Sequence, residues 1–239
     1  MTIIKVSATK STNTLLSELY RSAQIDLPCI LYAVNQTSGR GRLERTWESL
    51  SGKNLTISAV VPAMDSDSAS SFKLLSSVSV MVYNWLSELN VPEMRIKWPN
   101  DIMSGDCKLA GILLERSYRG KTASAITIGL GLNVNQEQFE ASIRATSLYK
   151  LTNQQYVIDD LASQFSFRIE QWLSEGLFDT HATYLKLLYR KNEWVRWRKG
   201  AEEFEARLHT VNHDGRVVLE DSNNQIMEFD SQQIQMTRA

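Results

Sequence analysis

Glycine and positive charge meet in one short stretch of this chain, Gln36-Thr37-Ser38-Gly39-Arg40-Gly41-Arg42. Gly39 and Gly41 permit positive φ and close backbone approach, so such a loop can fold tightly around a ligand. Its backbone N–H groups then face an anion, and Arg40 and Arg42 add forked donors that suit carboxylate or phosphate. Arg45 follows closely and extends the basic cluster. A mobile, solvated basic loop has the same composition. A second stretch, Arg95-Ile96-Lys97-Trp98-Pro99-Asn100-Asp101, reads as a strand ending in a rigid corner, because proline restricts itself and its predecessor. Asn100 and Asp101 would present an amide and a carboxylate from that corner, or form a plain Asx turn. In Lys108-Leu109-Ala110-Gly111-Ile112-Leu113-Leu114-Glu115, a lysine opens an apolar strand beside small residues. It would point into a pocket mouth, or snorkel to water. In Ile128-Gly129-Leu130-Gly131-Leu132-Asn133-Val134-Asn135, glycines inside a strand mark close approach of a ligand, or a bulge. Taken together, two arginines, a lysine, glycines and amides suit an anionic small molecule of nucleotide type.

The chain must position these segments with ordinary elements. Ser11 and Thr12 before Leu15, Leu16 and Leu19 predict a capped helix over 13–23. Cys29 to Val34 reads as a buried strand, and 36–53 as a long loop. Leu55, Ile57 and Ala59 alternate with Thr56 and Ser58, which predicts a half-buried strand. Phe72, Leu75, Val78, Val82, Trp85 and Leu89 follow helical spacing. Met94 to Trp98 forms a short strand. Leu109 to Ser117 and Ala123 to Gly129 form a hairpin turning at 118–121. Ile158, Leu161, Phe165, Ile169 and Trp172 mark one helix, and Tyr184, Leu185 and Leu188 another. After Asn192 only short strands are expected, at 204–211, 216–220 and 225–229, with a turn at His213-Asp214-Gly215. Helices and strands without strict alternation predict an α+β layer, followed by a small all-β module.

Composition excludes several classes. The chain has 239 residues, 43% hydrophobic and 22% charged, with a net charge of -1. It lacks the bulk basic footprint of a nucleic-acid binder, and no apolar run is long enough to span a membrane. No secretory leader is expected at Met1 to Lys10. Cys29 and Cys107 give neither a disulfide framework nor zinc spacing, which suits a reducing cytoplasm. No phosphate loop of the Gly-x-x-x-x-Gly-Lys-Ser type and no Gly-x-Ser-x-Gly elbow occurs. His181, His209 and His213 lie outside the four segments and read as structural or solvated.

Those segments, in this order and together with Ser11-Thr12-Asn13, resemble the biotin protein ligase family over nearly the whole chain. The resemblance implies a mixed sheet with helices at 1–191, of the kind shared with class II aminoacyl-tRNA synthetases. It implies an SH3-like β-domain at 192–239. A motif beginning at Ser11 leaves no space for the helix-turn-helix domain of some members, so the monofunctional type is expected. The loop departs from the family pattern at Leu43 and Glu44, where an arginine or glutamine and then a glycine are common. Such a change should stiffen the loop.

The implied activity is ATP-dependent attachment of biotin to a lysine of a biotin carboxyl carrier protein, through biotinyl-adenylate, with Mg²⁺ on the phosphates and no assigned protein ligands for it. By the resemblance, Ser11, Thr12, Asn13, Gln36, Gly39, Arg40, Gly41, Arg42, Lys108 and Gly111 bind biotin. Arg42, Trp47, Lys97, Asn100 and Asn133 bind ATP or the adenylate. Arg40, Arg42, Lys108 and Asp101 serve catalysis. A homodimer is compatible with the sequence, and neither nucleic acid nor a membrane is an expected partner. The Arg-Arg-x-Ser-Gly-Gly-Gly motif of lipoate and octanoate ligases is absent. A non-catalytic biotin sensor could dispense with Lys108 or the Lys97 to Asp101 corner, and both are present.

Overall fold

A computed structural model describes residues 1–63, 71–120, 122–141, 143–176 and 179–237, without the side chains of Glu44, Arg119 and Thr122. The elements run β1 (Thr2–Thr9), α1 (Thr12–Arg21), β2 (Cys29–Gln36), β3 (Gly39–Arg40), β4 (Thr46–Trp47), β5 (Asn54–Pro62) and α2 (Ser71–Ser87). They continue with β6 (Met94–Lys97), β7 (Asp101–Ser104), β8 (Cys107–Arg119), β9 (Thr122–Asn133), α3 (Leu148–Thr152), α4 (Ile158–Glu175) and α5 (His181–Lys186). The chain then forms β10 (Trp194–Lys199), β11 (Glu202–Val211), β12 (Val217–Glu220), β13 (Ile226–Phe229) and β14 (Gln235–Met236). This is the expected α+β architecture. A seven-stranded sheet of order β1-β2-β5-β9-β8-β7-β6 is followed by a five-stranded one of order β13-β12-β11-β10-β14. Only β1 and β2 of the large sheet pair in parallel.

The two faces of the large sheet carry different residues because side chains alternate along each strand. Leu55, Ile57, Ala59 and Val61 of β5, with Ile126, Ile128, Leu130 and Leu132 of β9, face α2 and α4 and are buried in one apolar cluster. In α4, Leu161, Phe165, Ile169 and Trp172 recur at helical spacing on the buried face. Asp159 and Asp160 in its first turn complement the positive end of the helix dipole. The opposite face is covered at one end by α1, whose Leu16 packs with Leu31 and Val60. Beyond α1 that face is lined by small or polar groups. Register places Ala33 beside Thr56, Thr56 beside Gly131, Gly131 beside Gly111, Gly111 beside Asp101 and Asp101 beside Lys97. Short side chains from Ala33 to Asp101, with none at Gly131 and Gly111, leave bare backbone on which a ligand or a ring can lie, and Lys97 closes the row.

A bulge aims the lysine. Ile102 pairs with Ala110, but the next residue, Met103, pairs with Lys108. Leu109 is therefore the extra residue, and both Leu109 and Ala110 are buried in the apolar cluster. The shift turns Lys108 onto the face of Gly111 and Asp101, a common use of bulges beside functional sites.

The second sheet clamps the Trp98-Pro99 corner. Trp98 Nε1 donates to Gly215 O at 2.9 Å, and its ring meets Trp197 edge-on at 6.5 Å. The Tyr184 hydroxyl of α5 donates to Pro99 O at 3.1 Å. Buried Trp197, Leu208, Val217 and Ile234 join the same apolar cluster as the large sheet, so one core runs through both.

Several elements differ from expectation. β1, β7, β10 and β14 were not anticipated. β1 is a half-exposed edge strand, and β7 and β14 have only four and two residues, too few for a readable period. The long loop contains the short β3–β4 pair. The hairpin turn extends to Lys121, which lies outside the described residues. His181 Nε2 lies 2.8 Å from Val211 O and its ring stacks on His213 at 4.1 Å, which fits a structural role.

Gly215 offers a test of the clamp. Its φ is +87°, and a Cβ there would lie 2.6 Å from Phe72 of α2. Gly215→Ala should lower unfolding stability by roughly 2 kcal/mol, from left-handed strain plus overpacking. Urea denaturation measures it, and an unchanged midpoint would contradict the packing described.

Candidate active site

One cavity of about 210 Å³ opens on the small-residue face, bounded by α1, the 36–47 loop, the Trp98-Pro99 corner and the 231–236 segment. Its inner end is polar. Ser11 caps α1, accepting from Thr14 N at 3.4 Å, and stays in the extended region at φ -150°. Gln36 Oε1 accepts from Thr12 N at 2.9 Å and from the Thr12 hydroxyl at 3.2 Å. Ser58 Oγ lies 2.6 Å from Asn13 Oδ1 and 2.8 Å from Thr12 Oγ1. Ser11, Thr12, Asn13, Thr56 and Ser58 are all buried. The cavity thus gathers the Ser-Thr-Asn segment and Gln36, as the sequence suggested, and adds Thr56 to its wall with Ser58 behind. The alternation in β5 carried the signal, because it put both hydroxyls on the face opposite the core.

The middle of the cavity is a flat trough. The Trp47 indole lies over the glycines, and a Cβ on Gly131 would come within 2.3 Å of its ring. A Cβ on Gly111 would lie 3.1 Å from Lys108 Nζ and 3.3 Å from the indole. Trp47 Nε1 is buried with no hydrogen-bond partner among the described residues. An unsatisfied buried donor costs about 1–3 kcal/mol, which disfavours this indole placement relative to one with an acceptor.

The outer end is charged. Lys108 Nζ pairs with Asp101 Oδ1 at 2.7 Å and sits 5.3 Å from the Trp47 ring centre. Asn100 is stapled to β8, its Nδ2 donating to Ile112 O at 2.6 Å and its carbonyl accepting from Ile112 N at 3.0 Å. Arg42 donates to the Ser231 hydroxyl and Arg45 to Gln235 Oε1, so Arg42 is tied to the turn between β13 and β14 and Arg45 to β14. Burial pulls the Arg42 guanidinium below its usual pKa, while nearby Tyr184 and Asp101 act the other way. Burial pushes the Tyr184 hydroxyl well up. An arginine remains cationic under such a shift. Leu43 adopts φ 53°, ψ 46°, so the positive φ of this loop falls on a leucine.

Two anticipated residues do not line the cavity. A Cβ on Gly39 would meet Gln36 Nε2 and Trp47 O at 2.5 Å, so this glycine serves the packing of the loop. Asn133 is buried behind Lys108, its Nδ2 donating to Thr146 O at 2.9 Å and to Lys108 O at 3.4 Å. Asn133 thus braces the strand that carries Lys108. Ser231, Ile234, Gln235 and Met236 line the cavity without having been anticipated. They lie in a turn and a two-residue strand, too short for a sequence signal.

A second cleft of about 160 Å³ shares Lys97, Asp101, Lys108 and Met236 with the first and adds Arg144, Arg190 and Arg196. The cations there outnumber the carboxylates, Asp101 and Asp106, in a chain of net charge -1. The Tyr189 hydroxyl and Arg190 hold Asp106 below the usual carboxylate range. The two openings form a polar end, a flat trough and a cationic end. Among the described residues no three His, Cys, Asp or Glu side chains group as metal ligands.

Solved structures show the same class of fold. The biotin protein ligase of Aquifex aeolicus, in complex with biotin and ATP, superposes with a TM-score of 0.79 at 23% identity, over 100% of this chain and 99% of that one. Residues 6–133 match the Biotin/lipoate A/B protein ligase family, and the chain belongs to it. The bifunctional ligase/repressor BirA of Bacillus subtilis is 30% identical over 169 residues, 67% of this chain and 50% of that protein. The biotin–[acetyl-CoA-carboxylase] ligase of Mycobacterium tuberculosis is 33% identical over 187 residues, 70% of this chain and 64% of that protein. The chain therefore spans about half the length of the curated relatives it matches.

The trough is directly testable. Gly131→Ala should expel the Trp47 indole into water. Trp47 emission, isolated by subtracting a Trp47→Phe spectrum, should move to longer wavelength; an unmoved spectrum would contradict the stacked placement.

Proposed function

We propose that this chain is a biotin protein ligase that activates biotin with MgATP and transfers it to a lysine of a biotin carboxyl carrier protein, such as that of acetyl-CoA carboxylase. One observation carries the reading. A single cavity runs from neutral polar groups at Thr12, Asn13 and Gln36 to cations at Arg42 and Lys108. Biotin has that polarity, a neutral ureido head and a carboxylate tail. The names of the relatives support the same substrate.

In the first step the biotin carboxylate oxygen attacks the α-phosphorus of ATP. The bond from that phosphorus to the β-bridging oxygen breaks, and pyrophosphate leaves. Two anions must approach, so fixed positive charge at the developing negative charge is the main need. Arg42 and Lys108 supply it, and Asp101 aims Lys108. The cationic cleft beyond Lys108, with Lys97, suits the leaving polyphosphate. In the second step the carrier amine attacks the acyl carbon and AMP departs. Asp101 would orient the incoming amine or help take its proton. The magnesium is part of the nucleotide substrate, as this ion is commonly held largely by phosphates and water. Trp47 over the glycine trough suits stacking against adenine, and Asn100 keeps the adjoining corner rigid. Closure of the 39–53 loop excludes water from a hydrolysable adenylate.

Residues 1–191 would form the catalytic part and 192–239 the SH3-like module, with 231–236 returning to the site. The free thiols of Cys29 and Cys107 suit a reducing cytoplasm.

Incubation with MgATP, a carrier domain and either biotin or lipoate tests the proposal by mass spectrometry. A biotinyl adduct alone is expected; a lipoyl adduct or no adduct would overturn it. Lys108→Ala should slow adenylate formation by roughly 100-fold or more with its circular dichroism spectrum unchanged. Near-normal turnover would remove Lys108 from its role.

A further inference from the structure

We propose that Glu115 is the positioning residue that ties the arginine loop to the polar end of the cavity, holding the Arg40 guanidinium with one carboxylate oxygen and orienting the Asn13 amide with the other. Glu115 lies on β8 two residues beyond Leu113, on the same face as Gly111, and pairs with Thr127. Its Oε1 accepts from Arg40 at 2.8 Å, and its Oε2 accepts from Asn13 Nδ2 at 2.8 Å. Asn13 is 4% exposed, and its Oδ1 meets the Ser58 hydroxyl at 2.6 Å. The carboxylate therefore selects the amide orientation, since the flipped form would set Asn13 Oδ1 against a negative oxygen. Gly129 makes space for this arrangement, because a Cβ there would lie 2.3 Å from Asn13 Oδ1.

The resulting chain is continuous. It runs from Arg40 in the loop through Glu115 on β8 and Asn13 on α1 to Ser58 on β5, and on through Thr12 to Gln36. Both ends are residues assigned above to the ligand. The Arg40 side chain is 52% exposed, so its ion pair adds little to stability. Its consequence is geometric: a long, flexible arginine in a glycine-flanked loop is held at the mouth of the cavity. A carboxylate is required, because both its oxygens face donors. The isosteric amide would turn an NH₂ group toward either Arg40 or Asn13.

The ligand side of this inference rests on the ligase reading; the loop-holding side does not. The experiment therefore measures both on the full chain. In Glu115→Gln, tryptic cleavage after Arg40 should rise several-fold while cleavage elsewhere and Tm stay as in wild type. The KM for biotin should rise about tenfold, more than kcat falls, for loss of orientation rather than of a reacting group. Glu115→Asp keeps the charge and should recover most of the protection at Arg40. Unchanged cleavage after Arg40 in Glu115→Gln, equal behaviour of the Asp and Gln variants, or faster cleavage throughout with a fallen Tm would each overturn the proposal. A wild-type chain inert toward biotin would reject the ligase reading and leave the proteolysis to decide the role of Glu115.

Discussion

On the proposed ligase reading, everything in this site depends on bringing a carboxylate and a phosphate together over the backbone that Gly111 and Gly131 leave bare. Coulomb repulsion between a carboxylate and a phosphate is severe where water is excluded, and fixed cations relieve it. Cations can close on the strip because Gly111 and Gly131 leave the backbone open and a bulge turns Lys108 onto that face. The same register puts Asp101 beside Gly111, where it pairs with the lysine and aims it. The carboxylate thus has a positional meaning that a turn residue would lack.

The loop arginines are held by two different supports. Arg42 reaches the β13–β14 turn through Ser231 and Arg45 reaches β14 through Gln235, whereas Arg40 reaches the large sheet through Glu115. Within the loop the β3–β4 pair and the bond from Gly41 N to Arg45 O fix the backbone. The arginine side chains are fixed by the elements they touch. The second sheet is consequently part of the site, and the apolar core shared by the two sheets keeps it in place.

Much of this was legible in the residues. The alternation in β5 separated its apolar face from its polar one, and the spacing of Leu161, Phe165 and Ile169 announced a helix. The joint occurrence of the loop, the Trp98-Pro99 corner, Lys108 and the strand glycines located the cavity. What escaped was long-range or too short to show a period. Ser231 and Gln235 meet their arginines across about 190 positions of chain. Arg144, Arg190 and Arg196 are scattered singles that only the fold assembles. For Asn133 the resemblance alone supplies a ligand role, and the structure adds that its buried amide donates to two backbone carbonyls.

The fate of the carboxylate oxygen tests the central claim most directly. If the vitamin acid is joined to the nucleotide through phosphorus, one of its carboxylate oxygens must leave with AMP when the lysine takes the acyl group. Biotin labelled with heavy oxygen in its carboxylate should therefore yield, after complete transfer to the carrier, AMP bearing one labelled oxygen. Unlabelled AMP, with the label recovered in inorganic phosphate or pyrophosphate, would contradict the account.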